Sequence, residues 1–364
     1  MLHLVGFIIA IFAIAAQANP AELTKVNLAI IVNDKDPQSL AVAEYYIQAR
    51  QIPRENVIHT TFDPHQSSLS AAVFKRIKAQ VDSAVPARVQ AYALTWTRPY
   101  KVECMSITSA FALGFDRAYC AQGCKQTKRI PYYNASSRRP YDDFGIRPTM
   151  MLAGKDVTDV LRLIDRGLAA DYSRPGGRAY LVSTSDKNRN VRSVEYPAIA
   201  SGMRALMGID IVNADYIEDK PDVFFYFTGV KSVPKVTDNN YLPGAIADHL
   251  TSSGGALFGS RQMSAIKWLQ AGATGSYGTV TEPCNFRTKF PDPKVVMLQY
   301  LGGNTLLEAY WKSVAMPGQG IFIGEPLSSP FKGCRIIRNQ AGWPVFANRP
   351  LSGKLLRSDA KCGL

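Results

Sequence analysis

Residues able to do nucleophilic or acid–base chemistry are few: four histidines and six cysteines in 364 residues. His249 stands in Gly244-Ala-Ile-Ala-Asp-His249, beside Asp248, and Cys284 stands in Thr281-Glu-Pro-Cys-Asn285. A cysteine hydrolase needs a thiolate with a base held within hydrogen-bonding reach. His249 and Cys284 are the catalytic candidates for that role. Each has a plainer reading as well. A lone histidine on a short element more often packs, and a cysteine in an exported chain more often pairs. His3, His59 and His65 fall in an apolar leader, a strand and a turn. Cys120 and Cys124 have a loose metal-ligand spacing, but no second His or Cys pair follows, so no metal is expected. The chain carries no phosphate-loop, dinucleotide, serine-elbow or zinc-protease signature, and no cofactor is expected.

The positions of the cysteines turn on the compartment. Leu2–Ala16 is apolar apart from His3 and ends in Ala16-Gln17-Ala18, the small-x-small pattern of a cleaved leader. Residues 1–18 therefore read as a signal peptide cleaved after Ala18. No later run reaches the roughly 20 apolar residues a span requires. The mature chain is expected to be periplasmic or extracellular, with no stable membrane span. All six cysteines survive cleavage, an even number for an oxidising compartment. Cys334–Cys362 is the first pairing expected, because it closes a local tail. Cys104 with Cys120 or Cys124 is the second, leaving Cys284 for the remaining partner.

Apolar residues make up 46% and charged residues 20%, which excludes a disordered or fibrous chain. Forty-two basic against 29 acidic residues give a net charge of +13. Nine Lys/Arg and four acids, interleaved with tyrosines, fall between Arg98 and Arg147. In an exported chain such a segment is either a solvated face or a contact for an anionic envelope component, a polymer or lipid headgroup. Nucleic acid is not the expected partner.

Strands and helices must position these groups. Val26–Val32 reads as a strand buried on both faces. Asp36-Pro37 opens a helix running to about Arg50. Val57–Phe62, Ser70–Ser83 and Arg88–Trp96 continue as strand, helix and strand, which calls for a parallel sheet with right-handed crossovers. Residues 97–149 show no sustained period and read as an irregular insertion. After it the spacing predicts a helix from Asp156, a strand over 178–184, a helix over 195–207 and a strand over 223–228. It then predicts a helix over 244–251, a strand over 255–259, a helix over 264–271 and a glycine-punctuated strand over 273–280. Helices over 293–301 and 305–314 and a short strand at 321–323 close the pattern. Residues 19–331 form one α/β domain with a mostly parallel sheet and helices on both faces, and 332–364 a C-terminal extension. Ligands in such sheets bind beyond the carboxyl ends of the strands. That rule gathers Asp34, Arg98, Thr228, Arg261 and Glu282 as binding candidates along one edge.

Several stretches resemble an uncharacterised family of exported bacterial proteins. They are Asp34-x-Asp36-Pro-x-Ser39, Tyr45-Tyr46, Phe225-Tyr-Phe-Thr-Gly229, Leu242-Pro-Gly-Ala-Ile-Ala-Asp-His249, Trp268–Gly278, Glu282-Pro-Cys-Asn285 and Gly324-Glu-Pro-Leu327. More distantly, the order of strand, helix and alanine-glycine strand is similar to that of gingipain-type cysteine peptidases, which implies a caspase-like architecture. In those peptidases a histidine-glycine follows one strand and the cysteine follows the next. Here the matching stretches read Phe227-Thr-Gly-Val-Lys231 and Ala256-Leu-Phe-Gly-Ser-Arg261, without either residue. The expected function is a non-proteolytic protein that binds a ligand or an envelope partner. The alternatives are a hydrolase using Cys284 and His249, and a structural envelope protein.

Overall fold

The computed structural model describes residues 22–121, 123–348 and 362; the leader and its cleavage after Ala18 lie outside the described residues. The first apolar run forms β1 (Leu28–Asn33), buried along its whole length. The Asp36 carboxylate accepts the Gln38 amide at 3.0 Å and caps α1 (Pro37–Arg50). Then come β2 (Val57–Thr60), β3 (Ser68–Leu69), α2 (Ala71–Ala84) and β4 (Ala91–Leu94). The stretch expected to be an irregular insertion instead contains β5 (Lys101–Val102), β6 (Met105–Ser106), α3 (Ile107–Leu113) and α4 (Pro140–Phe144), and it runs into β7 (Thr149–Met151). It is part of the core: Tyr100, Val102, Met105, Ile107, Phe111 and Tyr132 are all buried.

After α5 (Val157–Ala170) the chain builds a second run of parallel strands. These are β8 (Arg178–Ser183), β9 (Ile209–Asn213), β10 (Val223–Thr228), β11 (Tyr241–His249) and β12 (Gly275–Thr279), with α6 (Tyr196–Met203) and α7 (Ile266–Ala271) between them. Next are α8 (Pro293–Leu301), α9 (Leu306–Ser313) and β13 (Gly320–Gly324). A capping box of Thr305 and Glu308 opens α9. A hairpin of β14 (Cys334–Arg338) and β15 (Pro344–Asn348) follows.

Ten strands share one sheet in the order β2-β1-β4-β7-β13-β12-β11-β10-β8-β9. Every neighbouring pair is parallel except β12 with β13. The strands β2, β1, β4, β7 and β13 therefore run one way, and the other five run the opposite way. The sheet has two carboxyl edges, one for each half.

Two expectations for the last third fail. Residues 244–251 are not helical: they lie in and just after β11, paired with β10 through Phe225–Ile246 and with β12 through Ile246–Gly275. Residues 255–259 are not a strand but part of the turn that follows β11. That turn lies flat on β12, with the Gly255 amide donating to the Thr279 carbonyl at 3.0 Å. A Cβ on Gly278 would sit 2.4 Å from the Gly255 nitrogen, so only glycine allows this close approach.

A buried polar cluster ties the end of β13 to α1. Glu325, fully buried, accepts from the Tyr46 hydroxyl at 2.6 Å and from Arg50 Nε and Nη2 at 3.0 and 2.7 Å. Arg50 also pairs with Asp171 at the end of α5. Removing one partner of a buried pair strands the other charge. Arg50→Leu is expected to destabilise the fold by about 3–5 kcal/mol in urea unfolding. A loss under about 1 kcal/mol would show that the cluster does not hold β13 in place.

Candidate functional site

The sheet inversion separates the five residues gathered by the carboxyl-edge rule. Asp34 lies at the carboxyl end of β1, where its carboxylate meets His59 Nδ1 at 2.6 Å in an exposed pair. Thr228 and Glu282 follow β10 and β12 and belong to the opposite edge. Thr228 is fully buried and its hydroxyl has no hydrogen-bond partner. Arg98 stacks its guanidinium 4.0 Å from the ring centroid of Phe258, in the turn that also carries Arg261. Those two arginines share neighbouring loops, Thr228 and Glu282 stand at the second-half edge, where Gln262 next to Arg261 meets Thr251, and Asp34 stands at the opposite edge. The single edge expected for all five is therefore split, because residues after β1 and residues after β10 leave the sheet in opposite directions.

The first-half edge is filled by its own polar contacts. The Asn33 amide donates to Ser39 Oγ at 2.9 Å, and that hydroxyl lies 2.7 Å from Thr95 Oγ1. The Asn33 side chain closes a two-way bond with the backbone of Phe62.

The second-half edge carries a cleft of about 310 Å³. Its walls are the loop after β8 (Asn188, Arg189), the end of β11 (Leu250, Thr251, Ser252) and the loop after β12 (Glu282, Cys284, Asn285), with Cys124 reaching in from the first half. Arg189 is fixed on two sides, by Asp186 at 2.9 Å and by Thr251 Oγ1 at 3.0 Å. Thr251 passes its own hydroxyl hydrogen to Gln262 Oε1 at 2.8 Å, and the Ser253 amide donates to the same oxygen at 2.7 Å. The Cys284 amide donates to Glu282 Oε1 at 2.7 Å, and Cys284 itself has φ of 54°. Its sulfur is bonded to Cys124. The other pairs are Cys104–Cys120 and Cys334–Cys362, and no described cysteine is free.

His249 does not reach this cleft as a base. It is buried on β11, where Nδ1 accepts the Trp268 indole N–H at 2.9 Å and Nε2 lies 3.1 Å from the Met263 carbonyl. That pattern fixes the neutral tautomer with hydrogen on Nε2. Burial pushes its pKa down to about 3. Beside it, Asp248 forms a buried ion pair with Arg192 at 2.7 Å. Arg192 Nη2 also donates to the Thr228 carbonyl at 2.7 Å, and Nη1 donates to that of Pro291 at 3.2 Å. Burial holds the Asp248 carboxyl above its usual range, and Arg192 offsets part of that shift.

The end of β10 is closed by backbone. A Cβ on Gly229 would lie 2.0 Å from the Arg189 carbonyl oxygen. The loop after β8 therefore occupies the space beside Thr228-Gly229, and no larger side chain fits at 229. Sequence reasoning did not single out Arg189, Arg192, Asn188, Thr251 or Ser252. The polar run Asp186-Lys-Asn-Arg-Asn190 after a strand was the available signal, and Thr251 was hidden by the helical reading of 244–251. Among the described residues no group of His, Cys, Asp and Glu could hold a metal, and no helix is long and apolar enough to cross a membrane.

No family model matches the chain, and no curated protein matches it. A solved structure described as "Structure of Protease" is similar at 11% identity and a TM-score of 0.45, over 88% of this chain and 84% of that one. A likeness at that level carries no argument about function.

The buried histidine makes a pH prediction with a definite sign. Its folded pKa is near 3 against an ordinary 6.5, so the unfolded chain binds the extra proton first as pH falls. Its contribution is complete above pH about 6.5 and drains away down to about 3. His249→Asn should flatten the loss of stability with acid in urea titrations between those limits. An unchanged slope would mean that His249 is not held neutral.

Proposed function

We propose that this chain is an exported, non-proteolytic relative of the caspase-like fold that binds a small polar ligand in the cleft at the second carboxyl edge. The observation that carries the reading is the Cys124–Cys284 disulfide at the lip of that cleft. A sulfur shared with Cys124 has no thiolate to offer. Two further facts support the same reading. In gingipain-type peptidases the histidine and the cysteine follow adjacent strands, and the adjacent parallel strands here are β10 and β11. Their ends carry Thr228-Gly229 and Leu250-Thr251-Ser252, because β11 ends at His249 and not near Arg261. Among the described residues the histidine nearby, His249, has both ring nitrogens engaged inside the core.

The lining suits recognition. Arg189 and Glu282 supply one charge of each sign, Asn188 and Asn285 supply carboxamides, and Thr251 and Ser252 supply hydroxyls. Fixed polar groups of mixed type orient a zwitterionic or hydroxyl-rich ligand, such as a short peptide or sugar. The three disulfides and the +13 charge fit an exported chain.

The purified protein is expected to hydrolyse no peptide library and to show no cysteine reactive toward a maleimide before reduction. Cys284→Ala opens a cross-link between residues 160 positions apart and should lower stability by about 2–5 kcal/mol. Peptide turnover that Cys284→Ala abolishes while the fold persists would overturn the proposal. Ser252→Trp, which fills the cleft, should remove the thermal shift produced by any ligand found in a peptide and sugar screen.

A further inference from the structure

From Arg117 to Tyr141 the sequence holds six Lys/Arg and no acid. The structure sorts them. Arg138 pairs with Glu22, Arg139 with Asp142, and Arg117 with Glu103. Lys128 sits 3.9 Å from Asp116 and above the ring of Tyr119. Lys125 and Arg129 are exposed and have no ion-pair partner among the described residues.

These two charges do not ride on a loose arm. Cys120 is bonded to Cys104 and Cys124 to Cys284, so the loop is anchored twice within five residues. The Lys128 amide donates to the Ala118 carbonyl at 2.8 Å, and the Ile130 amide donates to that of Ala315 at 3.0 Å. The loop runs beside a cleft of about 660 Å³ whose charged lining is Glu103, Arg117 and Lys125. Glu103, the one acid in that lining, is used on both oxygens, by the Ala71 amide and by Arg117. A preorganised ridge that leaves Lys125 and Arg129 unpaired along a wide cleft costs self-repulsion unless an anion meets it.

We propose that the ridge formed by Lys125, Lys128 and Arg129, with Arg117 at the cleft edge, is a docking surface for an acidic polysaccharide. Polar and charged side chains recognise such a chain through its carboxylates or ester groups and its hydroxyls. A single nucleic-acid strand would want exposed aromatic rings for stacking, and insertion into a lipid surface would want an apolar wedge. Among the described residues the ridge has neither: no large exposed apolar residue lies between 117 and 129, and Tyr119 is buried. The surface is separate from the ligand cleft proposed above and stands or falls without it.

The test uses the oxidised protein and fluorescent heparin and polygalacturonate as soluble acidic glycans, with dextran as the neutral control. The double variant K125E/R129E should weaken binding to both acidic glycans by roughly tenfold or more and reduce its salt dependence. R335E/R338E, with the same change in net charge on the C-terminal hairpin, should weaken it less than about twofold. Unchanged melting temperatures keep the comparison free of folding effects. Equal losses in the two variants, no binding by the wild type, or tighter binding to single-stranded DNA or phosphatidylglycerol vesicles than to either glycan would overturn the proposal.

Discussion

The antiparallel pairing of Gly275–Thr279 with Gly320–Gly324 is the contact on which the architecture turns. Each half of the sheet is a set of parallel strands with helical crossovers, and either half alone would gather the loops that follow its strands at a single edge. Joining them through one antiparallel pair sends these carboxyl-end loops of the halves to opposite edges. Binding groups then cannot converge from both halves through strand ends alone. A residue of the first half reaches the second-half cleft only by a long excursion, and the chain between β4 and β7 makes it, ending in the Cys124–Cys284 bond.

Buried charge holds the strands on either side of the join in register. Glu325 follows β13 directly, and its two oxygens are taken by Tyr46 and Arg50 from α1, with Arg50 also held by Asp171. On the other half, Arg192 and Asp248 play a comparable part, linking the loop after β8 to β11 and to the carbonyl of Thr228. Buried pairs add little net stability over apolar packing, but breaking one leaves an uncompensated charge. Their effect here is on register: β13 cannot slide without unpairing Glu325, nor β11 without unpairing Asp248.

Much of the first half was legible because its signals were local. Asp36-Pro37 and Ser70 cap the helices the sequence proposed, and the strand expected over 26–32 is the buried strand at 28–33. The misreadings have physical causes. Gly244-Ala-Ile-Ala-Asp-His249 contains only one β-branched residue, so its propensity favours a helix, yet two flanking strands impose the extended form. β9, at the sheet margin, carries an exposed Ile211 and no clear alternation, so no strand was expected there. The 97–149 stretch hid its core residues because α3 is only two turns long, too short for a helical period to stand out. The disulfides were half legible. A local tail closure names Cys334–Cys362, whereas the Cys124–Cys284 link depends on how the insertion crosses the sheet.

That last link also explains why a cysteine beside a polar cleft is not a reactive one. Thiol catalysis requires an exposed sulfur, a depressed pKa and a base free to accept its proton. Cys284 is turned by a left-handed backbone whose amide is held by Glu282, which aims the side chain at Cys124. The base that proximity in sequence suggests, His249, is spent on Trp268 and Met263, and its burial removes the proton affinity that general-base work would need. Freeing the thiol by reduction would leave it without a partner. Converting this edge into a hydrolase would therefore need a new histidine, and a side chain at Gly229, just beyond β10, is blocked by the Arg189 carbonyl. The loop after β8 would have to move first, carrying with it the Asp186–Arg189–Thr251 contacts that shape the cleft.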